Sequence, residues 1–412
     1  MRDHFDVAIV GAGAAGLAAA SRLAGLPLSF VVLEARSRIG GRALTVRSEG
    51  GPPLDHGCGW LHSADRNPLV PLIETAGFTL DRTPPAWERQ AANQEFPPEE
   101  QRQFGEAYAA FEERMEGAAT TGQDRPGAEL FDPACRWNPL IDAVSSYYNG
   151  TEYDAVSVLD YAAYEDTNVN WRVAEGYGAA LAALAPAGVF LTECPVNRIA
   201  HHGHEVRLDT PRGALTARTA IVTAPTAHIA QERLAFSPSL PEKIEAAAGL
   251  PLGLANKVFL SLAEPEAFPA DQHLFGRIDR TETGSYHLRP FGRPYIEVFL
   301  GGRHACLLEE QGPGAATAFA VEELVGLLGS GVRRTIAPTG ETRWATDPFA
   351  LGSYSHASPG CSGARQVLAS AVAGHLFFAG EATSAHSYST AHGAWETGLR
   401  AADEAISALG IG

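Results

Sequence analysis

Phe5-Asp6-Val7-Ala8-Ile9-Val10-Gly11-Ala12-Gly13-Ala14-Ala15-Gly16 decides the fold. The apolar run ending at Val10 reads as a buried strand and the glycines after it as a tight turn. The helix-forming Leu17 to Ala24 follows, then a second apolar run, Phe30-Val31-Val32-Leu33, that closes on Glu34. Strand, helix and strand make a βαβ unit. Gly11 permits the turn, Gly13 lets backbone N–H groups reach a pyrophosphate at the positive end of the helix, and Gly16 allows helix and strand to pack closely. Ala14 and Ala15 carry the next N–H groups of that helix end. Glu34, followed by Ala35, stands close to the expected ~20 residues beyond the turn, where a carboxylate accepts ribose hydroxyls. A 2′-phosphate would be repelled there, so NADP is disfavoured and NAD and FAD both fit.

The chain has 412 residues, 45% hydrophobic and 19% charged, which is ample for a large core and two or three domains. Lys plus Arg total 31 against 48 for Asp plus Glu, and a formal charge of −17 repels a polyanion, which excludes nucleic acid as a natural partner and weakly favours cationic ligands. The five cysteines are scattered without metal-ligand spacing, as expected of reduced thiols and of a protein with no zinc site. His201, His202 and His204 share one short loop and read as surface histidines. The first strand begins almost at Met1, leaving no room for a secretory leader, and no run of about 18 apolar residues occurs, which predicts a cytoplasmic protein without a membrane helix. Glycine, at 43 residues, is about a tenth of the chain against a typical ~7%, as many loops or close backbone approaches to a ligand would require.

Ala35-Arg36-Ser37-Arg38-Ile39-Gly40-Gly41-Arg42 bears on the choice of dinucleotide. Two adjacent glycines between Arg36 and Arg42 offer a flexible backbone and two guanidinium groups, suited to a second grip on the pyrophosphate of an extended FAD. Further along, an irregular charged stretch from about Asp81 to Gln103 precedes helical spacing at Phe104, Tyr108, Phe111 and Met115, so a second domain interrupts the first. Strands at Phe190-Leu191 and Val196, at Val206-Arg207-Leu208 and at Ala220 to Pro225 return to the nucleotide domain. From about Leu250 the chain leaves again through strands Asn256 to Leu260 and Tyr295 to Leu300 and a helix, Ala316 to Leu328. The expected organisation is α/β: a Rossmann-like FAD-binding domain from 1–80, 190–249 and 370–412, and an interleaved α+β substrate-binding domain from 81–189 and 250–369, built on a mixed sheet and helices.

Three later segments carry a resemblance. Asp55-His56-Gly57-Cys58-Gly59-Trp60-Leu61-His62 is a glycine-rich loop. Phe377-Phe378-Ala379-Gly380-Glu381-Ala382-Thr383 is a buried strand ending in a Gly-acid turn, and Ser389-Thr390-Ala391-His392-Gly393-Ala394-Trp395 opens a last helix placed at Gly393 to Leu409. With the N-terminal turn, these resemble the flavin-dependent amine oxidase superfamily of monoamine oxidases, polyamine oxidases, flavin histone demethylases and L-amino-acid oxidases. The likeness runs over nearly the whole chain. It implies FAD held by the two fingerprints: Glu381 at the ribityl or pyrophosphate region, Val196 at adenine, and Gly57, Cys58, Gly59 and Trp60 beside the flavin ring. Ala391 would donate its N–H at the positive start of the last helix to the anion of reduced flavin.

The same resemblance gives Lys257, in Ala255-Asn256-Lys257-Val258, as the lysine that holds a water against the flavin. It sets Trp344 against the ring system and Tyr354 as the first wall of an aromatic cage that attracts the amine. Two positions depart from the monoamine oxidase pattern. Ser353 stands where those enzymes carry the cysteine joined to flavin, so FAD is expected to be non-covalent. Thr390 replaces the second aromatic wall, so the half-open cage favours bulkier or secondary amines. His62, Trp395 and the carboxylates Glu165 and Asp166 are expected substrate contacts, the pair as an anchor for a distal ammonium. The implied chemistry is oxidation of a C–N bond to an imine and then an aldehyde or ketone, with dioxygen or another acceptor taking the electrons, by a monomer or homodimer. The alternatives are a flavin desaturase or dehydrogenase of a non-amine substrate, and an L-amino-acid oxidase.

Overall fold

The computed structural model describes residues 4–87 and 96–411. Part of the irregular stretch expected from Asp81, residues 88–95, lies outside the described residues. Two sheets organise the fold. The first has eight strands, in the order Ala235–Ser237, Arg198–Ala200, Val206–Thr210, Gly213–Val222, His4–Val10, Phe30–Leu33, Val189–Leu191, with Leu376–Phe378 also on Gly213–Val222. His4–Val10 pairs in parallel with both Phe30–Leu33 and Gly213–Val222. Leu376–Phe378 runs parallel to the far end of Gly213–Val222, and the near end makes an antiparallel hairpin with Val206–Thr210. Segments from both ends and the middle of the chain therefore share one sheet. Its two faces are covered by separate apolar clusters, one of them built largely on the first and last helices, Ala14–Leu23 and Ala391–Ala408.

The second sheet has five strands in the order Gln272–Phe275, Ser285–Leu288, Tyr295–Gly301, Ala255–Leu262, Ile336–Glu341. Every pairing within it is antiparallel, so parallel and antiparallel pairs mix only in the eight-stranded sheet. Leu260, Ile296, Val298 and Tyr286 on one face of the five-stranded sheet pack under helix Ala315–Leu328. Side chains alternate along each strand, so the opposite face carries Lys257, Phe299, Ser285 and Phe275 in one rung and Phe259, Glu297, His287 and His273 in the next.

Three local boundaries differ from the sequence expectation. Helix Pro98–Ala119 starts ahead of Gln103 because Pro98 is compatible with a first helical position and Glu99 and Glu100 complement the positive helix end. The last helix starts at Ala391 rather than Gly393: the Thr390 hydroxyl accepts the Gly393 N–H at 3.0 Å and caps the end. Val196 lies in the loop between strands Val189–Leu191 and Arg198–Ala200. Among the described residues no helix is long and apolar enough to cross a membrane.

The first and last helices cross at Gly398, where a Cβ would sit 2.1 Å from the Ala15 carbonyl oxygen. Gly398→Ala would gain up to about 1 kcal/mol of helix propensity. Forcing the helices apart costs about 1–3 kcal/mol. Net destabilisation is therefore expected, as a lowered midpoint in thermal unfolding; an unchanged or raised midpoint would show that the crossing yields freely.

Candidate active site

The strand ends and loops of the two sheets meet around a cavity of about 1380 Å3. Pockets for a single small ligand run to about 300–1,000 Å3, so this one has room for an extended dinucleotide and a substrate. Its wall includes Gly11, Gly13, Ala14, Ala15, Glu34, Ala35 and Val196, and equally Lys257, Trp344 and Tyr354. Residues read as cofactor contacts and residues read as chemistry thus face one space.

The nucleotide side is built by backbone. Gly11 has φ +102°, which L side chains rarely adopt, and a Cβ on Gly41 would lie 3.1 Å from the Gly13 Cα, so the two glycine-rich loops touch main chain to main chain. The first helix begins at Gly13 without a side-chain cap and without an acid in its first turn, leaving its N–H groups for an anion. Gly16 is set back from the cavity: its missing Cβ would meet the Gly11 carbonyl oxygen at 2.0 Å, which is the close helix–strand packing expected of it. Glu34 is buried and accepts the N–H groups of Ala12 and Arg36, each at 2.8 Å, one on each oxygen. Each oxygen keeps a second lone pair for a ribose hydroxyl.

Arg36 and Arg42 both line the cavity beside Gly40 and Gly41, held by protein acceptors. Arg36 pairs with Asp347 at 2.6 Å. Arg42 donates to the Ser353 carbonyl at 2.6 Å and to Glu381 at 3.0 Å. Burial works to raise the Glu381 pKa, but Arg42, Ser355 and Arg365 together hold it below the usual carboxylate value. A second link continues inward: Ser355 donates to Glu381 at 2.6 Å, Arg365 donates to Ser355 at 2.9 Å, and Arg365 grips Asp160 at 2.6 and 2.8 Å. Gly380, Glu381, Thr390 and Ala391 complete this side. Gly57 also reaches the wall, yet its lack of a side chain serves packing, since a Cβ would lie 1.7 Å from the Arg42 carbonyl. An uncapped helix start, a glycine cradle and a buried ribose acceptor fit a dinucleotide, and the further volume toward Lys257 fits the flavin of FAD.

On the five-stranded sheet, Lys257 is buried, with Nζ donating to the Asp55 carbonyl at 2.8 Å and paired with Glu297 at 2.7 Å. Cys58, Gly59 and Trp60 line the cavity beside it, and a Cβ on Gly59 would come within 3.4 Å of Nζ. Burial and the Lys257 charge push the His56 pKa down to about 4, and burial pushes the Cys58 thiol up to about 12, so neither is charged near neutral pH. Trp344 donates its indole N–H to the His56 carbonyl at 3.1 Å. The Tyr354 hydroxyl donates to the Tyr147 carbonyl, which fixes its ring in the wall. The Thr390 hydroxyl is committed to the helix cap.

His62 and Asp166 also reach the cavity. His62 Nδ1 lies 2.7 Å from the Asn170 side-chain oxygen, and burial lowers its pKa, so the ring is neutral with Nε2 as the acceptor. Two expected substrate contacts are placed elsewhere. Trp395 is a core residue on the buried face of the last helix, packed with Leu17, Leu69 and Tyr177. Glu165 is exposed, paired with Arg66 at 3.0 Å, away from the cavity wall that its neighbour Asp166 joins. Sequence reasoning missed Glu297, although a lone acid in the apolar strand Tyr295–Gly301 was a visible signal. Asp160 and Arg365 had no such mark, being distant in sequence and ordinary in their surroundings.

Comparison with known proteins bears on the same residues. The family of flavin-containing amine oxidoreductases matches residues 14–406. Polyamine oxidase 3 of Oryza sativa subsp. japonica is 30% identical over 442 residues, covering 98% of this chain and 90% of its own. Two solved structures are similar in fold. A putrescine oxidase bound to putrescine has a TM-score of 0.78 at 20% identity, over 98% of this chain and 99% of that one. Cyclohexylamine oxidase from Brevibacterium oxydans IH-35A has a TM-score of 0.78 at 22% identity, again over 98% and 99%. With a dinucleotide cradle, a buried lysine and an aromatic wall in one cavity, this chain belongs to the flavin-containing amine oxidoreductase family and is an FAD-dependent enzyme acting on amines.

Proposed function

We propose that this protein oxidises a polyamine or a bulky secondary amine at the carbon next to nitrogen, releasing an aldehyde or ketone, the remaining amine and hydrogen peroxide. The reading is carried by one observation: a single cavity is lined by the nucleotide cradle, by Lys257 and by Tyr354. Residues 1–80, 190–249 and 370–412 serve FAD, and 81–189 and 250–369 serve the substrate. Bound FAD supplies the acceptor for the hydride equivalent leaving the amine, which water then splits as the imine, while dioxygen takes the electrons and becomes peroxide.

The protein's part is orientation and electrostatics. With FAD bound, the uncapped helix start and Arg42 would hold the pyrophosphate, Glu34 the ribose, and Ala391 the flavin's polar edge. The Tyr354 ring, pinned by its hydroxyl, presents a π-face to the amine nitrogen. Thr390 is small and turned to capping, which leaves room for a second substituent on nitrogen. His62, neutral and holding its proton toward Asn170, accepts an amine N–H, and Asp166 at the exposed rim draws a distal ammonium. Lys257 offers the positive charge that favours electron transfer to dioxygen. The protein is expected to work in the cytoplasm as a monomer or homodimer.

Replacing Lys257 by Met should slow reoxidation of the reduced enzyme on the order of 100-fold; equal stopped-flow rates for both proteins would remove its role. Arg42→Ala should weaken FAD binding about 10- to 100-fold, read by reconstituting flavin-free protein and following visible absorbance. A peroxide-coupled screen across polyamines, arylalkylamines, cyclic amines and amino acids should give the highest kcat/KM with a polyamine or secondary amine. A clear preference for a small primary arylalkylamine or an amino acid would overturn the substrate assignment.

A further inference from the structure

Lys257 stands opposite Phe299 across the strand pair, and Glu297 is two residues along on the same face of that neighbouring strand. The diagonal is closed by the ion pair of 2.7 Å, with the two side chains 8% and 12% exposed. The Asp55 carbonyl takes a second N–H, and the ammonium lies 4.8 Å from the centre of the Phe299 ring. Two of the three ammonium N–H bonds are thus committed to the wall, and the third remains for the cavity. A four-carbon stem rotates freely, so a lysine head is placed only by what it bonds, and a buried lysine without a countercharge tends to lose its proton.

Among the described residues Glu297 is the acid that makes an ion pair with Nζ. Asp55 turns its carbonyl to Lys257; burial raises its pKa against the pull of the Lys257 charge, and its carboxyl oxygens accept the Thr45 hydroxyl at 2.5 Å and the Tyr177 and Gly178 N–H groups at 2.9 and 3.3 Å. His287 faces Glu297 from the next strand and lies 3.3 Å from Asp271. His56 and Cys58 are neutral near pH 7, as is Tyr295 on the strand of Glu297, whose phenol burial holds well above its ordinary range. We infer that Glu297 is the positioning residue for Lys257: its carboxylate sets a countercharge beside the buried head and aims the remaining N–H into the cavity. The inference rests on the role given to Lys257 above.

The test compares E297Q, E297D, K257M and the K257M/E297Q double variant of the flavin-loaded enzyme, reduced without oxygen and then mixed with oxygenated buffer from neutral to alkaline pH. Removing the carboxylate takes away the countercharge, so E297Q should move the alkaline fall in reoxidation rate down by about 1–3 pH units. E297D, which keeps the charge, should hold it near the parent position, and E297Q should add nothing in the K257M background. A readout independent of turnover is thermal unfolding of flavin-free protein: each single variant strands one buried charge and should lower the midpoint more than the double variant does. If K257M reoxidises at the parent rate, the Lys257 assignment falls and this inference with it. If K257M is slow but the E297Q profile does not move, only the role of Glu297 is overturned. An E297Q protein that fails to fold beside a folded K257M/E297Q protein supports the pair, and failure of both overturns it.

Discussion

Backbone touches backbone at three places around the first helix, and the site depends on them. Gly16 lies against the Gly11 carbonyl, Gly41 against the Gly13 Cα, and Gly398 against the Ala15 carbonyl. Each contact brings a different part of the chain, the first strand, the basic loop and the last helix, onto the same few residues. The uncapped helix start at Ala14 and Ala15, both in the cavity wall, is consequently held on a rigid mount. An electrostatic site of this kind works because its dipoles are already oriented when the ligand arrives.

Charge is distributed over the cavity in two buried arrangements. Arg42, Glu381, Ser355, Arg365 and Asp160 form a continuous hydrogen-bonded line from the cofactor wall to the short helix Val158–Ala163. Lys257 and Glu297 form a compact pair on the sheet. Desolvating such groups offsets most of their mutual attraction, so neither arrangement is a large source of stability. Their effect is geometric: Glu381 and Lys257 each have their head group tied at two or more points, and the cavity between them has fixed walls.

The face of the five-stranded sheet shows how the wall around Lys257 is made. Phe275, Ser285, Phe299 and Lys257 form one cross-strand rung and His273, His287, Glu297 and Phe259 the next, with every member delivered by simple alternation. Burial removes the charge from His273, whose pKa is pushed down to about 3, and His56 behaves alike. His273 and His56 therefore add no charge beside the ammonium, whose ion pair with Glu297 lies in a buried setting where charge interactions are strengthened.

Features governed by neighbours in the chain were legible in the residues alone. The Gly11–Gly16 turn, the acid Glu34 at the end of the second strand and the apolar strand around Lys257 follow from φ preferences, the helix dipole and side-chain alternation, all of which act over a few residues. Trp395 and Glu165 were misjudged for the opposite reason: whether a side chain faces core, solvent or cavity depends on which surface packs against its element. The pairing of Lys257 with Glu297, the tie from Arg42 to Glu381 and the seating of Gly398 on Ala15 join residues far apart in sequence. Strand order, register and helix crossing decided them, because no local preference encodes which distant segment will supply a buried charge with its partner.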